Sequence, residues 1–90
     1  MNKIAVVTGA ASGIGRAVVE RLSKEDVFGV ILDIDNKNGQ QVAGEVQRRG
    51  KQAAFMCVDV TQEGTVRAAF DRIISDHGRL DVLVNVAGGS

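Results

Sequence analysis

Four short apolar runs punctuate this chain, and nothing else in the sequence restricts its fold so strongly. Lys3 to Thr8 (KIAVVT), Val27 to Asp33 (VFGVILD), Gln52 to Val58 (QAAFMCV) and Asp81 to Asn85 (DVLVN) have strand length and are apolar at consecutive rather than alternate positions. Strands buried on both faces need helices on both sides, which is the condition of a parallel α/β sheet. The intervening segments meet it. Gly13 to Lys24 carries Ile14, Ala17, Val18, Arg21 and Leu22 at helical spacing; Asn36 to Arg49 carries Val42, Ala43 and Val46 and stops at Gly50. A third helix, capped by the Thr61 hydroxyl, carries Val66, Phe70, Ile73, Ile74 and His77 and stops at Gly78. No linker or repeat interrupts residues 1–90, so one domain is expected. Right-handed crossovers give the strand order 3-2-1-4 if the first two helices cover one face and the third covers the other. A ligand crevice should then open between strands 1 and 4, at their carboxyl ends.

Thr8 to Gly15 (TGAASGIG) falls at that crevice, between the first strand and the first helix. Gly9 permits a tight turn, Gly13 lets a phosphate approach the backbone, and Gly15 lets the helix pack closely on the sheet. The unpaired N–H groups and the dipole at the helix start favour an anion. A glycine pattern alone is weak, but its place after the first strand and before an amphipathic helix is specific. Asp33 ends the second strand, eighteen residues beyond Gly15. That is close to the spacing of a carboxylate that accepts from the two hydroxyls of an adenosine ribose. Helix capping is the alternative role, and Asp35 is better placed for it.

Composition excludes several other functions. Lys plus Arg total 11 and Asp plus Glu total 11, so no net field draws in nucleic acid or an anionic membrane. The one basic cluster, Arg48, Arg49 and Lys51, suits the C-terminal dipole of the second helix. Cys57 is the only cysteine, which rules out an internal disulfide and suits a reducing, cytoplasmic setting; its apolar neighbours suggest a buried core thiol. The N-terminus is too short in apolar residues for a signal segment or a membrane span. His77, the only histidine, sits beside a helix stop and reads as helix-end packing rather than a general base. Arg16 follows Gly15 and reads as surface, with a phosphate contact as the alternative. No catalytic residue and no metal ligand set is assigned.

Thr8, Gly9, Gly13, Ile14 and Gly15 match the T-G-x-x-x-G-I-G motif of the short-chain dehydrogenase/reductase family, and VNVAG from Val84 to Gly88 resembles its N-N-A-G motif. Asp59-Val60, after the third strand, is similar to the family's adenine contact. The resemblance spans essentially the whole chain and implies a partial Rossmann fold: an α/β, four-stranded parallel sheet of order 3-2-1-4 with three helices. It implies a dinucleotide held by Gly9, Ser12, Gly13, Ile14, Gly15 and Asp33. Asp59 would contact the adenine amino group and the Val60 N–H a ring nitrogen. Asn85, Ala87 and Gly88 would line the cofactor near the ribose, with Asn85 also bracing the central strands. Val86 departs from the pattern, which often has a second asparagine there.

The family's activity is hydride transfer between a nicotinamide cofactor and an alcohol or carbonyl substrate, through a Ser-Tyr-Lys group. This sequence contains no tyrosine. The chain alone is therefore expected to be inactive. It reads as the NAD-binding N-terminal part of such an enzyme, or else as a stand-alone dinucleotide-binding module or half of a split enzyme. NAD is expected over NADP, because Asp33 would repel a 2′-phosphate and Ser12 stands where NADP-preferring relatives often carry a cation. The open fourth strand and a single helix on one face predict self-association or a complementing chain.

Overall fold

A computed structural model describes residues 3–9, 13–59 and 61–86. Its elements run β1 (Lys3–Thr8), α1 (Gly13–Ser23), β2 (Val27–Asp33), α2 (Asn36–Arg48), β3 (Ala53–Cys57), α3 (Glu63–His77) and β4 (Val82–Asn85). The sheet order is β3-β2-β1-β4 and all three pairings are parallel, as the sequence predicts.

Burial of consecutive residues explains the layering. Val6 and Val7 are both fully buried although they point to opposite faces. Val7 and Ile31 belong to a core closed by Val19 of α1 and by Val42, Ala43 and Val46 of α2. Val6, Val30 and Leu32 belong to a second core closed by Ala69 and Ile73 of α3. Two helices thus cover one face and one helix the other. Fully burying a Val, Leu or Ile side chain contributes about 1.5–3 kcal/mol, so these central valines and isoleucines dominate the stability of the sheet.

Helix faces depart from the sequence reading in two places. On α1 the buried residues are Gly15, Val19 and Ser23, with Val18 and Leu22 packed beside them. Ile14, at 72% exposure, faces outward with Ala17 and Arg21. Two overlapping faces of this helix have similar apolar spacing, and the buried one carries the small Gly15, which suits close packing on the sheet. Ser23 tolerates burial because its hydroxyl donates to the Glu20 carbonyl at 2.7 Å. On α3, Ala69 and Ile73 are buried, whereas Ile74 lies on the outer side. His77 packs against Phe28 with ring centroids 4.6 Å apart, the helix-end role expected of it.

Two further expectations are corrected. Thr61 does not cap α3: Gln62 holds that position without a side-chain bond, and the Thr61 hydroxyl donates to Asp59 instead. Cys57 is exposed, not a core thiol. It is the last residue of β3, the edge strand among the described residues, and its thiol donates to the Ile34 carbonyl at 3.6 Å. Gly50 and Gly78, with φ of 76° and 75°, do follow α2 and α3 as stops.

Asp81 fastens β4 to β1. Its Oδ2 accepts from the Ile4 N–H at 2.8 Å, and its own N–H donates to the Ile4 carbonyl at 2.9 Å. Arg79 grips both carboxylate oxygens, at 2.8 and 2.6 Å. The Arg79 fork first, then the Ile4 N–H, hold the carboxyl below its ordinary range. A lowered folded-state value means that this contribution is complete at neutral pH and is lost as pH falls through that value. Asp81→Asn should therefore flatten the acid limb of stability. Urea midpoints measured from pH 7 to pH 3 should fall less steeply in the variant; parallel slopes would remove the link.

Candidate functional site

The carboxyl ends of β1, β2 and β4 and the start of α1 converge on one rim. β1 ends in Thr8 and the chain turns at Gly9, whose φ of 74° is open to glycine with little strain. The Gly9 N–H donates to the Leu32 carbonyl at 2.9 Å, tying the turn to β2. Gly13 then opens α1 in an exposed position, with no atom within 4 Å of where a Cβ would stand. Among the described residues, packing does not require glycine there. Ile14 is exposed beside it, and Gly15 is buried against the sheet.

Across the rim, the Thr8 hydroxyl donates to Asn85 Oδ1 at 2.7 Å, and the Val86 N–H donates to the Thr8 carbonyl at 3.1 Å. Asn85 therefore braces the central strands, as expected. It joins the two strands that flank the point where the connections reverse direction, which is where ligands bind in open α/β sheets.

Asp33, half-buried at the end of β2, accepts the Asp35 N–H on Oδ1 at 2.9 Å. Asp35 is the residue that caps α2: its Oδ1 accepts the Asn38 N–H at 3.1 Å, and its Oδ2 accepts the Asn38 side-chain amide at 2.7 Å. Those bonds, the backbone one foremost, lower its pKa. The capping role is thus taken by Asp35, while Asp33 holds the Asp35 N–H from the end of β2. Ile34, between them, is 64% exposed and places an apolar surface on the rim. The sequence alone does not single it out, because its exposure follows from where β2 ends.

Asp33 pairs in register with Cys57, and the Val58 N–H donates to the Asp33 carbonyl at 3.0 Å, so β3 delivers Asp59 to the same end of the sheet. Asp59 Oδ1 accepts from both the Thr61 hydroxyl, at 2.6 Å, and the Thr61 N–H, at 3.0 Å. The Thr61 hydroxyl, then its N–H, keep the Asp59 carboxyl below its ordinary range. Arg16 is ion-paired with Glu45 of α2 and lies 3.5 Å from Glu20, contacts that raise its pKa and hold it across the helix pair. Ser12, Val60, Ala87 and Gly88 lie outside the described residues.

Among the described residues no group of His, Cys, Asp and Glu is placed to hold a metal ion. No helix among them is long and apolar enough to cross a membrane. The rim therefore combines backbone donors at a helix start, a nearby carboxylate pair and an exposed apolar side chain. That chemistry suits an organic phosphate carrying a hydroxylated sugar and a flat ring.

Known proteins point the same way. The chain is 42% identical over 87 residues to a 3-hydroxyacyl-CoA dehydrogenase type-2 of Drosophila melanogaster, a match covering 97% of this chain and 33% of the relative. An NAD+-bound xylitol dehydrogenase superposes with a TM-score of 0.85 at 32% identity, over 90% of this chain and 31% of that one. A metagenomic short-chain oxidoreductase in complex with NADP superposes with a TM-score of 0.86 at 31% identity, over 90% of this chain and 37% of that one. The chain thus spans about a third of the length of the proteins it matches. The family model for short-chain dehydrogenases matches residues 3–90, and with the sheet order and the glycine turn in place it identifies this chain as a member of that family.

Proposed function

We propose that this chain holds a nicotinamide dinucleotide, NAD in preference to NADP, and supplies the cofactor-binding part of an enzyme that moves hydride between the cofactor and an alcohol or carbonyl substrate. The observation that carries this reading is Gly13: it opens α1 with empty space where a Cβ would stand, on the rim shared with Asp33. In this reading Gly9, Ser12, Gly13, Ile14 and Gly15 surround the pyrophosphate, and Asp33 accepts from the ribose hydroxyls. Asp59 and Val60 take the adenine edge, with Ile34 against its face, while Asn85, Ala87 and Gly88 line the ribose near the nicotinamide. The bound nicotinamide would supply the hydride chemistry. A phenolic proton carrier is not among these 90 residues, which include no tyrosine, so turnover requires one from elsewhere.

A second feature favours association with more polypeptide. β4 pairs with β1 alone among the described residues, Val82 to Val86 carries no charge or proline, and Leu83 is 52% exposed. Such an edge is a template for another strand. A shallow, largely apolar surface formed by Ile14, Ala17, Val18 and Leu22, with Gly13 and Arg21 beside them, runs along α1. Self-association, or pairing with a complementing chain, would cover both; the chain's place in a reducing, cytoplasmic compartment belongs to the same reading.

Calorimetric titration of the full chain with NAD is the test, with sedimentation of the same sample reporting its association state. Gly13→Val should weaken NAD at least about tenfold while leaving the urea midpoint nearly unchanged, because the added carbons meet solvent or ligand and not the core. Absence of binding in the parent, or equal binding in the variant, would overturn the reading.

A further inference from the structure

We infer that Thr61 is a positioning residue for nucleotide recognition: its hydroxyl fixes the Asp59 carboxylate so that one oxygen remains to accept the exocyclic amino group of adenine. The inference rests on the proposed role of Asp59 and adds the residue that makes that role selective. Thr61 was expected to cap α3, and the structure assigns its hydroxyl elsewhere.

The geometry supports a built-in orientation. Both donors of Thr61 go to the same oxygen, Oδ1, at 2.6 and 3.0 Å. Among the described residues no hydrogen bond reaches Oδ2. The backbone beneath is held as well. The Asp59 carbonyl accepts from the Gln62 N–H at 2.9 Å and from the Thr65 hydroxyl at 3.1 Å, while the Val58 N–H on the other side is tied to Asp33. A half-exposed aspartate would otherwise sample several rotamers, and an ionised acceptor held in one of them loses less freedom on meeting a donor. The same two bonds keep the group ionised, so it accepts and does not donate. An amino group at the base edge is then favoured, and a carbonyl oxygen there faces a carboxylate with no proton to share.

Nicotinamide hypoxanthine dinucleotide carries that carbonyl in place of the amino group and is the probe. The quantity read is the ratio of its dissociation constant to that of NAD, on one protein sample. A variant that merely lowers the folded fraction weakens both ligands alike and leaves the ratio unchanged. The parent chain should prefer NAD, Asp59→Ala should erase the preference, and Thr61→Val should reduce it by about threefold to tenfold, less than one hydrogen bond to a charged group because Thr61 acts through Asp59 and its N–H bond remains. Thr61→Ser should restore it. If Asp59→Ala leaves the ratio unchanged, or the parent shows no preference, the role of Asp59 fails and the inference falls with it. If Asp59→Ala erases the preference but Thr61→Val does not, or Thr61→Ser fails to restore it, the role of Asp59 stands and the inference about Thr61 is overturned.

Discussion

Asp33→Ala is expected to collapse a preference for NAD over NADP of about two to three decades. A 2′-phosphate on the ribose would bring negative charge to about 4 Å from the Asp33 carboxylate, and two unit charges at that distance repel by roughly 4 kcal/mol at an effective dielectric of 20. Solvent and salt reduce that figure at a half-buried site, hence the lower bound. No relief comes from Arg16, the cation nearest the glycine turn in sequence, because Glu45 and Glu20 engage it. Asp35 adds a second carboxylate to the rim, offset in part by Lys37. The alanine variant should lose affinity for NAD, since an acceptor for the ribose hydroxyls is gone, and gain affinity for NADP. Parallel calorimetric titrations with both dinucleotides decide the matter. Related folds bound to NAD and to NADP are both known, so the side chains on the rim have to carry the choice. Equal or tighter NADP binding by the parent chain would refute it.

The second large effect is expected at a position remote from the ligand. Gly39 is buried in α2, and a Cβ built there would overlap the ring of Phe55 on β3. Helix propensity alone favours alanine over glycine by about 1 kcal/mol. Overpacking a filled site costs about 1–3 kcal/mol, and Phe55 is partly buried against the α1/α2 core, so its ring yields only by giving up contacts there. Gly39→Ala should therefore destabilise the chain by up to about 2 kcal/mol, a substantial loss for a domain of this size. In a Phe55→Ala background the same substitution should stabilise, because the obstacle is removed and the propensity gain remains. A urea-unfolding double-mutant cycle reads that change of sign; the same sign in both backgrounds would show that the ring does not govern the site.

The strands were legible because a parallel sheet leaves a coarse mark. Val6-Val7 and Val30-Ile31-Leu32 are apolar at successive positions, a pattern that survives ignorance of register. Helix faces leave a finer one. On α1, apolar spacing alone does not choose between the face bearing Ile14 and the face bearing Val19; the buried face is the one that also carries Gly15 and Ser23, which hydrophobicity does not mark. Thr61 was misread for a related reason. Its capping propensity is local, but α3 starts one residue later, with Gln62 at the cap position, and the Thr61 hydroxyl is turned back to donate to the charged Asp59 two residues earlier. Cys57 illustrates the limit of reading burial from neighbours: an apolar run says that a strand is covered, not where the cover ends. At the rim, Gly9, Gly13, Gly15 and Asp33 stand out because their spacing between a strand, a turn, a helix start and the next strand end matches that of a dinucleotide site. Ile34 does not, because an exposed isoleucine has meaning only once the strand end around it is known.

The bond from Thr8 to Asn85 closes a loop of 77 residues, and the bond from Ile4 to Asp81 closes another of the same length. During synthesis from the N-terminus, β1 acquires β2 as a neighbour early, and α1, α2 and β3 can assemble around that pair. Its opposite edge has no neighbour until residues 82–85 have left the ribosome. Contacts this far apart in sequence form slowly, and partly assembled sheets with bare edges are prone to wrong pairing. A nascent chain of this protein therefore passes through a three-stranded stage in which β1, the strand that leads into the glycine turn, is an edge. Of these four strands, the first to be made gains its second neighbour only from the fourth.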